Sequence, residues 1–195
     1  MADTKTAELT RVVDGHSVPA AGSWSVDQAH STVEFVARHL MVTKVRGRFS
    51  DYDAQITIGE RPEDSRVDVT IRTASITTGD AARDGHLVSP DFLDVEKYPT
   101  ITFASKTVQP TGSSTWNVDG DLTVNGVTKP VTLAVEFGGV ATDPWENTKA
   151  FFSASTEFDR EGFGLTWNQP LAGGGVLVGK KVRVELEIQA TPSTI

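Results

Sequence analysis

The chain has 195 residues, 38% hydrophobic and 23% charged, a balance that suits one domain with a buried core and excludes a disordered polymer. With 18 basic against 26 acidic side chains the net charge is −8, which disfavours nucleic acid and anionic membrane surfaces as partners. The absence of cysteine removes disulfides, thiolate nucleophiles and cysteine-ligated metals together.

Residues 1–22 are small, polar and aperiodic, ending in Pro19, Ala20, Ala21 and Gly22, and read as a flexible leader or loosely docked arm. They contain no apolar run behind a basic start, so no secretory signal is expected and the chain is assigned to the cytoplasm. No later stretch approaches the roughly 20 apolar residues that cross a bilayer. A barrel domain is expected over 23–190, followed by a short tail over 191–195.

From Trp24 the pattern becomes alternation. Val33, Phe35 and Ala37 alternate with polar neighbours, as do Val67, Val69 and Ile71, then Val131, Leu133, Val135 and Phe137, then Val182, Val184, Leu186 and Ile188. A period of two with one polar face is the mark of half-buried strands. Weaker strands are expected over 48–58, 100–108, 116–124 and 150–158. Asn125 and Gly126 between two alternating runs make the strongest hairpin signal in the chain. Eight strands with short connections indicate a barrel or sandwich. The 79–99 segment breaks the rhythm. Its turn and capping residues, with Ser89 before Pro90, predict one or two short helices over a barrel mouth or against its side.

The inward set predicted by alternation is Val33, Phe35, Ala37, Val69, Ile71, Phe103, Leu122, Val124, Leu133, Val135, Phe152, Ala154, Phe158, Val184 and Leu186. It is almost wholly apolar and would not welcome a sugar, a nucleotide or an ion. Pattern alone does not separate a solid core from a hollow one, because a small barrel can be either.

The candidate chemistry is weak by comparison. The glycines at 173–175 with Gly179 and Lys180 imitate a phosphate loop, but Lys181 stands where Ser or Thr should hold magnesium, and a strand follows instead of a helix. His16, His30, His39 and His86 show no metal-ligand spacing. Arg83, Asp84 and His86 look catalytic together, yet such groups in an irregular segment commonly satisfy backbone and one another. No serine sits in a nucleophile elbow, and no carboxylate pair stands out. Trp24, Trp116, Trp145 and Trp167 fall near strand ends or loops, where tryptophan more often caps a core than lines an entrance. No enzyme is read here, and no cofactor is required.

A set of motifs in fixed order carries a resemblance. Trp24, Asp27, His30, Ser31, Val33 and Phe35 are followed by Val45, Gly47 and Phe49, then by Ala82, Arg83, Asp84, Gly85, His86 and Leu87. Pro90, Asp91, Phe92, Leu93 and Asp94 precede Lys97, Tyr98 and Pro99. Gly120, Leu122, Asn125, Gly126, Val127, Thr128, Lys129, Pro130 and Val131 form the most specific block, and Arg160, Phe163 and Gly164 come later. From about residue 22 to 190 the chain resembles the YceI-like family, bacterial lipocalin-like proteins described as polyisoprenoid-binding. The resemblance implies a mainly β, eight-stranded antiparallel lipocalin-like barrel with a long apolar pocket open at one end. The implied ligand is a polyisoprenoid or related lipid, such as an isoprenoid quinone or fatty-acid derivative, and the implied assembly is often a homodimer. Many relatives carry a signal peptide and work in the periplasm, from which this sequence departs. Arg38, His39 and Trp167 are candidates for a head group from their expected place near a rim. The alternatives are a stress-related scavenger or interaction module, and an enzyme of isoprenoid metabolism, for which His30, His39 and Arg160 are the titratable groups that would have to face the lumen.

Overall fold

The structure is a computed structural model and describes residues 9–193. Eight antiparallel staves close into a barrel. In order around the wall they are β12 (Thr148–Asp159), β11 (Val127–Thr142), β10 (Thr115–Val124), β9 (Thr100–Pro110), β7 (Arg66–Arg72), β6 (Tyr52–Ile58), β3 (Gly22–Val26) and β13 (Val178–Pro192). β13 closes the ring by pairing along its length with β12. Its other edge takes β3 near its C-terminal end and β4 (Thr32–His39) before that, so β3 and β4 share one place in the wall. β5 (Thr43–Phe49) and β8 (Ile76–Thr77) continue the sheet beyond β4. Closure leaves few free edges, which is how such sheets avoid pairing with other chains.

Local chemistry accounts for the turns. Asn125 and Gly126 both adopt left-handed backbone, φ 53° and 74°, and set Val124 opposite Val127. That is the tight turn their sequence predicts. The strand expected over 48–58 is in fact two, β5 and β6, broken at Ser50 and Asp51. There the chain turns a corner: Ser50 N–H donates to Ser75 O at 3.3 Å, and Arg72 N–H to Asp51 O at 2.9 Å. Two adjacent polar residues, which break the alternation between Phe49 and Tyr52, were the available sign.

The 79–99 connection holds one helix, α1 (Ala81–Val88). Asp80 caps it by accepting from Arg83 N–H at 3.0 Å, and it ends at Ser89, the residue before Pro90. The rest of the connection is turns. Arg83 and Asp84 hold the helix down: Asp84 accepts from Thr77 Oγ1 at 2.9 Å and Thr78 N–H at 2.8 Å, while Arg83 Nε donates to Thr78 Oγ1 at 2.7 Å. His86 is used in the same way, 2.9 Å from Asp91 and edge-on to Phe92.

The leader expected over 1–22 is corrected from residue 9 on, residues 1–8 lying outside the described residues. β1 (Thr10–Val13) and β2 (His16–Pro19) form a hairpin that packs Val18, 4% exposed, against Trp116 and Val108. His16 joins it to the barrel through Gly112 O at 2.8 Å and the Trp116 ring. The tail expected over 191–195 is also partly barrel. Thr191 and Pro192 pair with Ser25 and Trp24, and residues 194–195 lie outside the described residues.

Candidate ligand-binding site

The interior is filled at one end. Trp24, Phe137, Ala150 and Ala190 are each 4% exposed or less, and Phe137 stacks on Phe152 with ring centres 5.4 Å apart. Trp24 also donates its indole N–H to Ala20 O at 3.0 Å, satisfying its single polar atom.

Above this plug lies a cavity of ≈ 260 Å³. Its walls come from the inward faces of the strands: Val33, Phe35 and Ala37 from β4, Ala54 from β6, Val69 and Ile71 from β7, Phe103 from β9. Leu122 and Val124 of β10, Leu133 of β11, Phe158 of β12 and Val184 and Leu186 of β13 complete the circuit. Its roof is Leu87 of α1 with Phe92, Leu93 and Leu165. Among the described residues, no nitrogen or oxygen atom faces the lumen.

Six residues of the sequence-based set lie off this wall. Val135 packs into the filled end with Trp116 and Val18, Phe152 packs into the plug, and Ala154 sits opposite Val135 and Leu186 without reaching the cavity. Alternation gave them the right side of the sheet but not the right depth. Arg38 is exposed and donates to Val42 O at 3.2 Å, and His39 ends β4 opposite Val178. Trp167 packs on the roof, 4.6 Å from the His86 ring and 5.2 Å from Phe92. Conversely, Val67, Val182 and Ile188 line the cavity and stood in the alternation, whereas Leu87, Phe92, Leu93 and Leu165 lie in aperiodic segments that gave no signal.

Three ionisable residues, Glu34, Tyr52 and Arg160, reach the cavity wall with carbon alone, the Glu34 carboxylate lying 3.9 Å from Arg46. Arg160, 2% exposed, turns its guanidinium away into carbonyls, donating to Gly179 O at 2.9 Å, to Leu165 O, and more loosely to Val178 O at 3.5 Å. Burial pulls its pKa down, opposed by Glu161 and Asp159 nearby. The contacts tie the turn at 160–163 to the irregular start of β13, and the stem faces the ligand space. Burial likewise raises the Tyr52 phenol. His30 is outside the barrel, paired with Asp27 at 2.9 Å. Asp27 anchors the β3–β4 corner. Its carboxyl is held down at about 2, chiefly by the Lys149 ammonium 2.6 Å away, with burial opposing and His30 assisting.

Comparison with known proteins places this geometry. The YceI-like domain matches residues 24–190. The chain belongs to the YceI-like family. Similar members include a UPF0312 protein of Pseudomonas putida strain GB-1, 40% identical over 148 residues, covering 74% of this chain and 77% of the relative. Another, from Ectopseudomonas mendocina, is 41% identical over 149 residues, covering 75% and 78%. The Campylobacter jejuni YceI protein superposes with TM-score 0.68 at 30% identity, over 80% of this chain and 90% of that one. Burkholderia cenocepacia BcnA superposes with TM-score 0.73 at 26% identity, over 85% and 99%. A polyisoprenoid binding domain from Saccharophagus degradans shares the fold at TM-score 0.67 and 14% identity, over 89% and 100%. The mainly β, eight-stranded barrel with one helix over it is therefore the YceI-like fold.

Proposed function

We propose that the protein binds the hydrocarbon part of an apolar ligand, a polyisoprenoid or related lipid, inside the barrel, and that it acts by binding and not by catalysis. The observation that carries this reading is the cavity wall, which is built from carbon atoms only. Burying hydrocarbon there contributes about 0.8 kcal/mol per CH₂ without any directed contact. A wall without exposed donors or acceptors cannot orient a sugar or a nucleotide, and the ionisable residues that reach it show it only carbon: Arg160 is turned into carbonyls, Glu34 lies 3.9 Å from Arg46, and neither His30 nor His39 lines the space. The Saccharophagus degradans domain of the same fold is described as polyisoprenoid binding, in keeping with this interior.

Size refines the reading. At ≈ 260 Å³ the cavity lies just below the ~300–1,000 Å³ typical of small-molecule pockets. A long prenyl chain therefore seats part of its length and leaves its polar end outside, so hydrocarbon is recognised within and the head group beyond the lumen. Organic extraction of purified protein followed by mass spectrometry tests this directly, together with uptake of the apolar dye N-phenylnaphthylamine. Extractable prenyl or acyl lipid, and dye uptake abolished by Ala54→Phe, are the expected results. Protein that carries no lipid and takes up no dye would end the proposal.

A further inference from the structure

Three hairpin turns place two successive residues in the left-handed region. Two use the residues that region favours, Asp14 with Gly15 and Asn125 with Gly126. The third, between β4 and β5, uses Leu40 (φ 53°) and Met41 (φ 61°), where a side chain carries a steric cost. These side chains cover no core. Leu40 is 44% exposed, Met41 50% and the next residue, Val42, 73%. Strand pairing therefore does not explain the residue choice, and three adjacent apolar side chains stand in water.

Charge around this tip runs against the molecule as a whole. Between residues 35 and 49 the chain carries Arg38, Lys44, Arg46 and Arg48 and no carboxylate, in a protein of net charge −8. Arg38 and Lys44 face each other across the two strands, a like-charge pairing that is unfavourable by itself, and among the described residues neither has a carboxylate partner, whereas Arg46 pairs with Glu185 at 2.8 Å. The segment that meets the tip, where Leu40 N–H donates to Leu177 O at 2.8 Å, is uncharged from 164 to 179. The other isolated large apolar side chain on a turn, Trp145 at 79% exposure, lies at the filled end between Asp143 and Glu146. Among the described residues, only the β4–β5 tip joins apolar protrusion to cations without a carboxylate partner.

The tip also belongs to the hollow end. Ala37 and Val178 line the cavity, and Val178 pairs with His39, the residue before Leu40. We infer that Leu40, Met41 and Val42, flanked by Arg38 and Lys44, form a docking tip for an anionic phospholipid bilayer, seating the apolar side chains among the acyl chains and bringing the cavity to the membrane surface. Total charge disfavours such contact, but screening confines each charge's influence to about 8–10 Å, so the local cations decide at the tip. The role of the tip in ligand exchange rests on the cavity reading above, whereas docking is measurable without it.

The test is co-sedimentation of the full chain with phosphatidylcholine vesicles, with and without about 30% phosphatidylglycerol, at low and moderate salt. Binding is expected only with the anionic lipid and to weaken as salt rises. Val42→Asp should weaken it at least about tenfold by exchanging an inserted apolar group for a charge, and Lys44→Glu by about fivefold or more. Trp145→Ser should leave it unchanged, and Met41→Trp should shift its fluorescence to the blue on binding. Absence of vesicle binding by the unaltered chain, or binding indifferent to Val42→Asp, overturns the inference. So does sedimentation equilibrium showing a dimer that Val42→Asp dissociates while vesicles are not bound, since the tip would then be an interface between two copies. Dye uptake without vesicles separates the two readings: Val42→Asp should retain it, and Ala54→Phe should lose it while still docking.

Discussion

The two ends of the barrel are built on one alternating pattern and come out opposite. At the filled end Trp24, Phe137 and Phe152 pack into one cluster, and Val18 of the β1–β2 hairpin packs with Trp116 in another. At the hollow end the facing positions are Ala37, Val182, Val184 and Ala54, roofed by Leu87, Phe92 and Leu93. Alternation decides only which side of the sheet a residue occupies. Whether an interior layer is solid depends on the summed volume of side chains at one depth, and on what lies across the opening.

Substitutions at the two ends should therefore differ in kind. The largest effect is expected from Trp24→Ala, which removes a fully buried indole from the plug and should lower unfolding free energy by about 3–5 kcal/mol in urea denaturation. A loss below about 1 kcal/mol would mean that the plug is as loosely filled as the cavity. Next is Gly120→Ala, where an added Cβ would stand 2.5 Å from Ala104 O and against the Phe103 ring, for a cost of about 1–3 kcal/mol.

Arg160→Met should cost a similar ~1–3 kcal/mol by stranding the carbonyls of Leu165 and Gly179, yet retain dye uptake because the lumen-facing stem is preserved. Loss of uptake in a folded Arg160→Met protein would show that the guanidinium serves the ligand after all. Ala54→Phe, at the hollow end, should leave stability near neutral or raise it while abolishing uptake.

The smallest effect concerns acid. Because the folded-state pKa of Asp27 is depressed to about 2, its ion pair contributes stability that is present above the ordinary carboxylate range near 4 and is lost as pH falls toward 2. Asp27→Asn should flatten the dependence of stability on pH across that window. An unchanged slope would mean that other carboxylates carry it.

Much of the wall was legible. Val33, Phe35, Val69, Leu122, Val184 and Leu186 were placed on the lumen by alternation because a strand's side-chain period is fixed at two. Val135 and Phe152 were placed inward correctly and at the wrong depth, since depth depends on how far each strand is sheared against its neighbour. The roof was illegible for another reason. Leu87, Leu93 and Leu165 meet only when a helix and two loops distant in sequence fold over one opening, and no local period records that meeting.

By itself, then, the sequence determined the strand faces, the Asn125 and Gly126 turn, the presence of a short helix in the 79–99 segment and, through its ordered motifs, the family. Only the tertiary structure decided that Arg160 offers the lumen its stem and not its charge, that one end is solid and the other hollow, and that Leu40, Met41 and Val42 stand in water beside cations that, among the described residues, have no carboxylate partner. Local periodicity is set by backbone geometry within a few residues, whereas volume, solvation and charge pairing are properties of groups brought together from across the chain.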